Sequence, residues 1–273
     1  MFKKTSKNTN FDKISSLKIR RTLKISGLSN KIFAFPEIDS TNRYAKSIAL
    51  KKNMHGAVVV SDSQTNGRGR LGRSFFSPPG SGIYMSIIVY PKQILCDPSL
   101  LTVIACVAVC KTIEKYVDDK VSIKWVNDIF MNGKKICGIL TEAGTTTNSK
   151  IGYFVVGIGL NVSTPTEIFP GELQSIAGSL GLTGASRNNI IADIIYEFMK
   201  LCMISDNSQI INEYKSHSMV IGKKVSFING KNILCATAID INNQGNLLVK
   251  LEDGSVKTLK SGEITLGSQN FTG

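Results

Sequence analysis

The sequence predicts an α+β fold, one large domain of strands and helices followed by a small β-rich unit. Three observations carry this reading. Runs rich in β-branched and aromatic residues are interspersed with helical stretches through residues 32–219, and Asn132-Gly133 is the strongest hairpin signal in the chain. From Val220 onward, short β-rich runs are separated by Asn229-Gly230, Asn243-Gln244-Gly245 and Asp253-Gly254, the rhythm of a small barrel made of hairpins. The chain thus divides into a basic arm over residues 1–31, a large domain over 32–219 and a small β domain over 220–273.

Within the large domain, IFAFPEI (Ile32 to Ile38) reads as a short strand, with Pro36 near an edge because proline has no N–H to give a neighbour. Asp39-Ser40-Thr41-Asn42 offers several side chains able to cap a helix that runs to about Lys52. GAVVVSD (Gly56 to Asp62) and GIYMSIIVY (Gly82 to Tyr90) have strand length and composition. Pro98 opens an apolar helix ending near Val117, and VSIKW (Val121 to Trp125) alternates like a strand. The Asn132-Gly133 turn joins IFM to KKICGILTEAG, and a second hairpin turns at Thr147 to Lys150 into IGYFVVGIGLNV. Helical spacing returns behind Ser186 as far as Met203, with a further short helix toward His217.

Composition narrows the function classes. The longest apolar run, Leu100 to Cys110, is too short to span a bilayer, and residues 1–30 lack an apolar secretory core, so a cytoplasmic protein without a membrane partner is expected. Six scattered cysteines form neither a CxxC pair nor a zinc cluster and are expected to be reduced core residues. His55 and His217 stand alone and receive no catalytic role. The formal charge of +13 divides into +8 on residues 1–31, +3 on 32–219 and +2 on 220–273. A charge concentrated in a tail favours a solvated, partly helical arm over specific DNA binding.

The most distinctive segment is QTNGRGRLGRSFFSPPGSG, Gln64 to Gly82, a loop between two strands. Arg68, Arg70 and Arg73 supply forked cationic donors, while Gly67, Gly69 and Gly72 let the main chain approach and point N–H groups at an anion. A second cluster, Lys124 to Leu140, sets Asn127 and Asp128 just after a strand and Lys135 across the hairpin from them. An amide and a carboxylate suit Mg²⁺ and a lysine suits an anion, but spacing alone leaves a polar turn with a solvated lysine equally open. GIGLNV, Gly157 to Val162, suits close backbone contact with a ring or ribose, or simply a strand entering a turn.

Taken together, EIDSTN (Glu37 to Asn42), the Gln64 to Ser86 segment, SIKWVNDIFMNGKKICGIL (Ser122 to Leu140) and GIGLNV resemble the biotin protein ligases in order and spacing. The resemblance implies a mixed, largely antiparallel sheet of the class II aminoacyl-tRNA synthetase-like kind and a C-terminal SH3-like barrel. It also implies a two-step reaction: biotin and ATP give biotinyl-5′-AMP, and biotin then passes to a lysine of a biotin carboxyl carrier protein. On this resemblance Ser40, Thr41, Asn42, Gln64, Arg68, Gly69, Arg70 and Lys135 contact biotin. Arg68, Arg70, Phe76, Lys124, Asn127, Asp128 and Asn161 serve the nucleotide, Asp128 and Asn161 serve Mg²⁺, and Lys135, Asp128 and Arg70 carry catalysis.

The loop, with Phe75 and Phe76, would act as a lid over the reactive adenylate. Departures from the family pattern are Val126 in place of a common proline, Asn66 in place of alanine and Phe75 in place of tryptophan. Some members carry an N-terminal DNA-binding domain and act as repressors; the short arm here predicts a ligase without that role, while a homodimer stays open. A lipoate ligase of the same superfamily is the nearest rival, but its RRxSGGG loop is missing. A nucleic-acid-binding protein is a rival of another class.

Overall fold

The computed structural model describes residues 12–23, 25, 31–51, 53–145, 150–230 and 232–266. A helix, α1 (Ser16–Thr22), precedes β1 (Ile32–Ile38), α2 (Thr41–Ile48), β2 (Val58–Gln64) and β3 (Gly82–Val89). Then come α3 (Leu101–Ile113), β4 (Val121–Lys124), β5 (Asp128–Met131), β6 (Lys134–Thr145) and β7 (Ile151–Asn161). A short α4 (Leu173–Ile176), α5 (Arg187–Cys202) and α6 (Asn207–Ser216) complete the large domain. The small domain holds β8 (Lys224–Asn229), β9 (Asn232–Ile241), β10 (Leu247–Leu251), β11 (Val256–Leu259) and β12 (Ile264–Leu266).

The large sheet has the order β1-β2-β3-β7-β6-β5-β4 and is mixed only at one edge. There β1 and β2 run parallel, a pairing that needs a crossover, supplied by α2; the other pairs are antiparallel. Asn132 and Gly133 both take left-handed backbone, φ 51° and 72°, as the predicted tight hairpin requires. The turn expected at Thr147 to Lys150 falls largely outside the described residues.

Strand alternation sorts the two faces. Val58, Val60, Met85, Ile87, Val156 and Ile158 point into the main core, while Val59, Ile88 and Val155 pack on Ala45 and Ile48 of α2. Because α2 has only eight residues, it covers only part of its face. Beyond it Ser86 pairs with Gly157 and Gly138 with Gly159, so the sheet lacks large side chains there. That bare floor positions the site. On the other face, α3 is apolar on all sides because it is enclosed between the sheet and the following helices.

Several element boundaries differ from the sequence reading. The helix expected to reach Lys52 ends at Ile48, and the one expected over Pro98 to Val117 is a 3-10 turn at Pro98–Leu100 followed by α3 ending at Ile113. The solvated arm also needs correction. Ile14 and Ile19 join the main core, and Asp12 caps α5 from a distance: its Oδ2 accepts from Ser186 Oγ and Asn188 Nδ2, both at 2.8 Å. The side chain of Ser186, the expected cap, makes no capping bond of its own.

The small domain is a five-stranded antiparallel sheet, β11-β10-β9-β8-β12. Its Val225, Phe227, Ala238, Leu247 and Val249 belong to the same continuous core as α3. Gly245, at φ +75°, lies so near α3 that an added Cβ would meet Val103 Cγ2 at 3.1 Å. Five of the six cysteines are buried, Cys235 is exposed, and none is in a disulfide. Among the described residues no helix is long and apolar enough to cross a membrane.

Candidate active site

A cavity of about 270 Å³ opens over the glycine floor. Its wall includes every residue expected for biotin: Ser40, Thr41, Asn42, Gln64, Arg68, Gly69, Arg70 and Lys135. Lys124, Asn127 and Asp128 line it as well, and Gly262, Glu263, Ile264 and Thr265 of the small domain close one side.

Nearest α2 lies a chain of hydrogen bonds among uncharged side chains that ends on the carboxylate of Glu142. Gln64 Oε1 accepts from Thr41 N at 2.9 Å and from Thr41 Oγ1 at 3.1 Å, while Gln64 Nε2 donates to Ser77 Oγ. Ser86 Oγ lies 2.8 Å from Thr41 Oγ1 and 2.6 Å from Asn42 Oδ1. Asn42 Nδ2 donates to Leu140 O and to Glu142 Oε2. These capping-type residues at the start of α2 are thus occupied in the site, and Ser40 makes no side-chain cap bond. Gly157 is obligatory beside them, since a Cβ there would sit 2.2 Å from Asn42 Oδ1.

The arginine segment folds as a small curl, closed by a bridge between Arg68 and Ser74 and by Phe75 N donating to Gly67 O at 2.9 Å. Leu71 and Gly72 take left-handed backbone, φ 53° and 76°, to turn its crown. Arg70 donates from Nη1 to Asn127 Oδ1 at 2.8 Å and from Nη2 to Gly262 O at 3.1 Å. Arg73 pairs with Glu263 at 2.7 Å. The two phenylalanines separate. Phe75 lies over the floor, where a Cβ on Gly159 would meet its ring at 2.5 Å. Phe76 leaves the cavity and packs on Phe169 at 5.9 Å, so the structure does not bring it to the site.

At the opposite end Lys135 Nζ lies 2.7 Å from Asp128 Oδ1, which also accepts from Asn127 Nδ2 at 3.1 Å. Such a partly exposed pair contributes about 1 kcal/mol or less, so either partner can be redirected to a ligand at little cost. Burial lowers the Lys124 pKa; Lys135 and Arg73 lower it further, while Asp128 and Glu263 act to raise it. Tyr214 OH donates to Val126 O at 2.9 Å, and Trp125 Nε1 to Gly245 O at the same distance, holding the turn that carries Asn127 and Asp128.

Asn161 does not line the cavity: its Nδ2 donates to Gly178 O at 2.8 Å, while its buried Oδ1 has no hydrogen-bond partner among the described residues. Sequence reasoning missed Glu142, Trp125 and the small-domain wall. Glu142 joins Lys46 at 2.5 Å and Arg68 at 3.7 Å. Burial alone would raise its pKa, but Lys46, Asn42 and Arg68 outweigh that and lower it. Nothing local marked it, because its partners are distant in sequence.

Five cationic side chains and two carboxylates line the cavity, an excess that suits anionic ligands. Its floor, arginine loop and lysine-carboxylate pair suit a ligand that carries both carboxylate and phosphate groups. Residues 34–161 match the model of the Biotin/lipoate A/B protein ligase family, and residues 220–267 that of the Biotin protein ligase C terminal domain. The bifunctional ligase/repressor BirA of Bacillus spizizenii is 34% identical over 261 residues, spanning 93% of this chain and 80% of that protein. The Mycobacterium tuberculosis biotin-acetyl-CoA-carboxylase ligase is 26% identical, covering 78% of this chain and 79% of its own. Among solved structures, the Aquifex aeolicus biotin protein ligase in complex with biotin and ATP superimposes with a TM-score of 0.71 at 26% identity, over 87% of this chain and 98% of that one. The chain belongs to the biotin protein ligase family.

Proposed function

We propose that this cavity joins biotin to ATP and then delivers biotin to a lysine of a biotin carboxyl carrier protein, in the cytoplasm. The observation that carries the reading is a cationic cavity whose wall also holds a hydrogen-bonded chain of uncharged side chains, Gln64, Thr41 and Asn42 with Ser86 between them. Biotin has the same two parts, an anionic tail and a polar, uncharged ring system.

In the first step a biotin carboxylate oxygen attacks the α-phosphorus and pyrophosphate leaves. Two unit anions held 4 Å apart repel by about 4 kcal/mol at an effective dielectric of 20, so the reaction needs cations close by. Arg68, Arg70 and Lys135 on the wall are the proposed source, and Lys124 on the same wall is proposed to meet the phosphates of ATP. The polar chain of Thr41, Gln64, Ser86 and Asn42 sets the ring, and Phe75 screens the acyl carbon from water.

Mg²⁺ fits the chemistry of Asp128, whose carboxylate is the one acidic group on this wall not paired with an arginine. Among the described residues no group of three or more carboxylate, histidine or cysteine ligands could hold a metal alone, so the ion would share Asp128 with ATP phosphates and water. When bound it would offset phosphate charge. In the second step the acceptor amine attacks the acyl carbon and AMP leaves, and Asp128 is the proposed acceptor of the amine's proton. Normal transfer from added adenylate by Asp128→Asn, with adenylate formation lost, would rule that role out.

The reading is tested by transfer of labelled biotin to a purified carboxyl carrier domain with ATP and Mg²⁺, beside lipoate and beside Lys135→Ala. Biotin-specific labelling that the variant loses is expected. Labelling with lipoate alone would move the protein to the sister ligases.

A further inference from the structure

The geometry points to Arg187 as a positioning residue: paired with Asp62, it fixes both stems of the arginine loop and so sets how long the closed loop retains the acyl-adenylate. This rests on the ligase reading above. Arg187 opens α5, lies outside the cavity and is only 3% exposed. Its Nη1 is 2.7 Å from Asp62 Oδ1 and donates to Gly82 O at 2.9 Å, and its Nη2 donates to Asp12 O at 2.8 Å. Asp62 Oδ2 in turn accepts from Gly80 N at 3.1 Å, and buried Asp62 Oδ1 has no partner besides this guanidinium among the described residues.

These contacts converge on one segment. Asp62 lies on β2 just before the loop departs, and Gly80 and Gly82 lie where it returns into β3. The remaining bond ties the clasp to residue 12, the same residue that caps α5, so the loop base is fastened to a rigid helix. The crown is held differently. Arg70 reaches Gly262 O and Arg73 reaches Glu263, and the side chains of the Arg73 pair are 70% and 39% exposed. An exposed crown can open to admit ATP and biotin, while a buried base keeps the stems in register so that Arg68 and Arg70 return to the same place. Burying a guanidinium at a loop base is costly unless its geometry is used, and this one's fork meets Asp62 and Gly82 of the two stems and the Asp12 carbonyl at once.

Arg187→Lys keeps the charge but cannot make all three contacts, and Asp62→Asn keeps the shape and the Gly80 bond but loses the ion pair. In the full chain, AMP release from biotinyl-AMP formed on the enzyme is measured without acceptor, where water attacks the acyl carbon and biotin and AMP leave. Each single variant is expected to raise that release about tenfold, to change kcat for transfer less than about threefold, and to raise KM for ATP. The double variant should leak no faster than either single one. Variants that hold adenylate as long as wild type overturn the proposal, as does an activity loss that follows only a fall in thermal midpoint. Should Arg187→Lys fail to fold, Asp62→Asn carries the test. Wild type that forms no adenylate would instead overturn the ligase reading.

Discussion

The sharpest expectations arise where one atom decides. Gly157→Ala would drive a methyl into Asn42 Oδ1, now 2.2 Å from the ideal Cβ, and break the Ser86 contact that orients it. Biotin KM should rise about tenfold with little change in that for ATP, and overpacking should cost about 1–3 kcal/mol, read by steady-state kinetics and urea unfolding. Glu142 predicts a pH effect. Its folded pKa lies below the ordinary 4.5, so the unfolded chain takes up the proton first, and the stability it contributes is present above that value and lost as pH falls through the folded one. Glu142→Gln should therefore flatten the acid limb of a stability-pH profile; an unchanged slope would contradict the assignment. The arginines, Lys135 and Asp128 were legible in sequence because each sits in a dense local motif. Of the two phenylalanines expected on the lid, Phe75 lies over the floor and Phe76, expected at the nucleotide, does not, and a loop carries no periodicity from which that difference could be read.

Elements were legible where periodicity and turn chemistry agree. The strand at Ile32–Ile38 matches the reading residue for residue, and the Asn132-Gly133 hairpin formed as expected. Gly133→Ala should cost about 1–2 kcal/mol through its φ of 72°, measurable by thermal denaturation, with activity falling too because Lys135 is two residues away. The cap of α5 could not be read, since Asp12 stands 174 residues before Ser186. Asp12→Ala should destabilise by about 1 kcal/mol, the ordinary worth of a helix cap, with no change in KM if capping is all that is lost. A KM change for ATP would extend the Arg187 clasp to this residue.

At the scale of the whole molecule, the composition changes near Val220, and the first strand of the small sheet begins at Lys224. What sequence could not convey is that the large and small sheets share one core and that the turn carrying Asn127 and Asp128 is tied to the small one through Trp125 and Gly245. Calorimetry and near-ultraviolet circular dichroism should therefore report one coincident unfolding transition, and two resolved transitions would contradict a shared core. The cysteine distribution has a practical side. With five thiols buried and Cys235 alone at the surface, one equivalent of a maleimide dye should label the native, unengineered protein at a single place on β9. The others would react only as the interior opens, so timed alkylation read by mass would follow core breathing residue by residue, with each molecule carrying its own internal control.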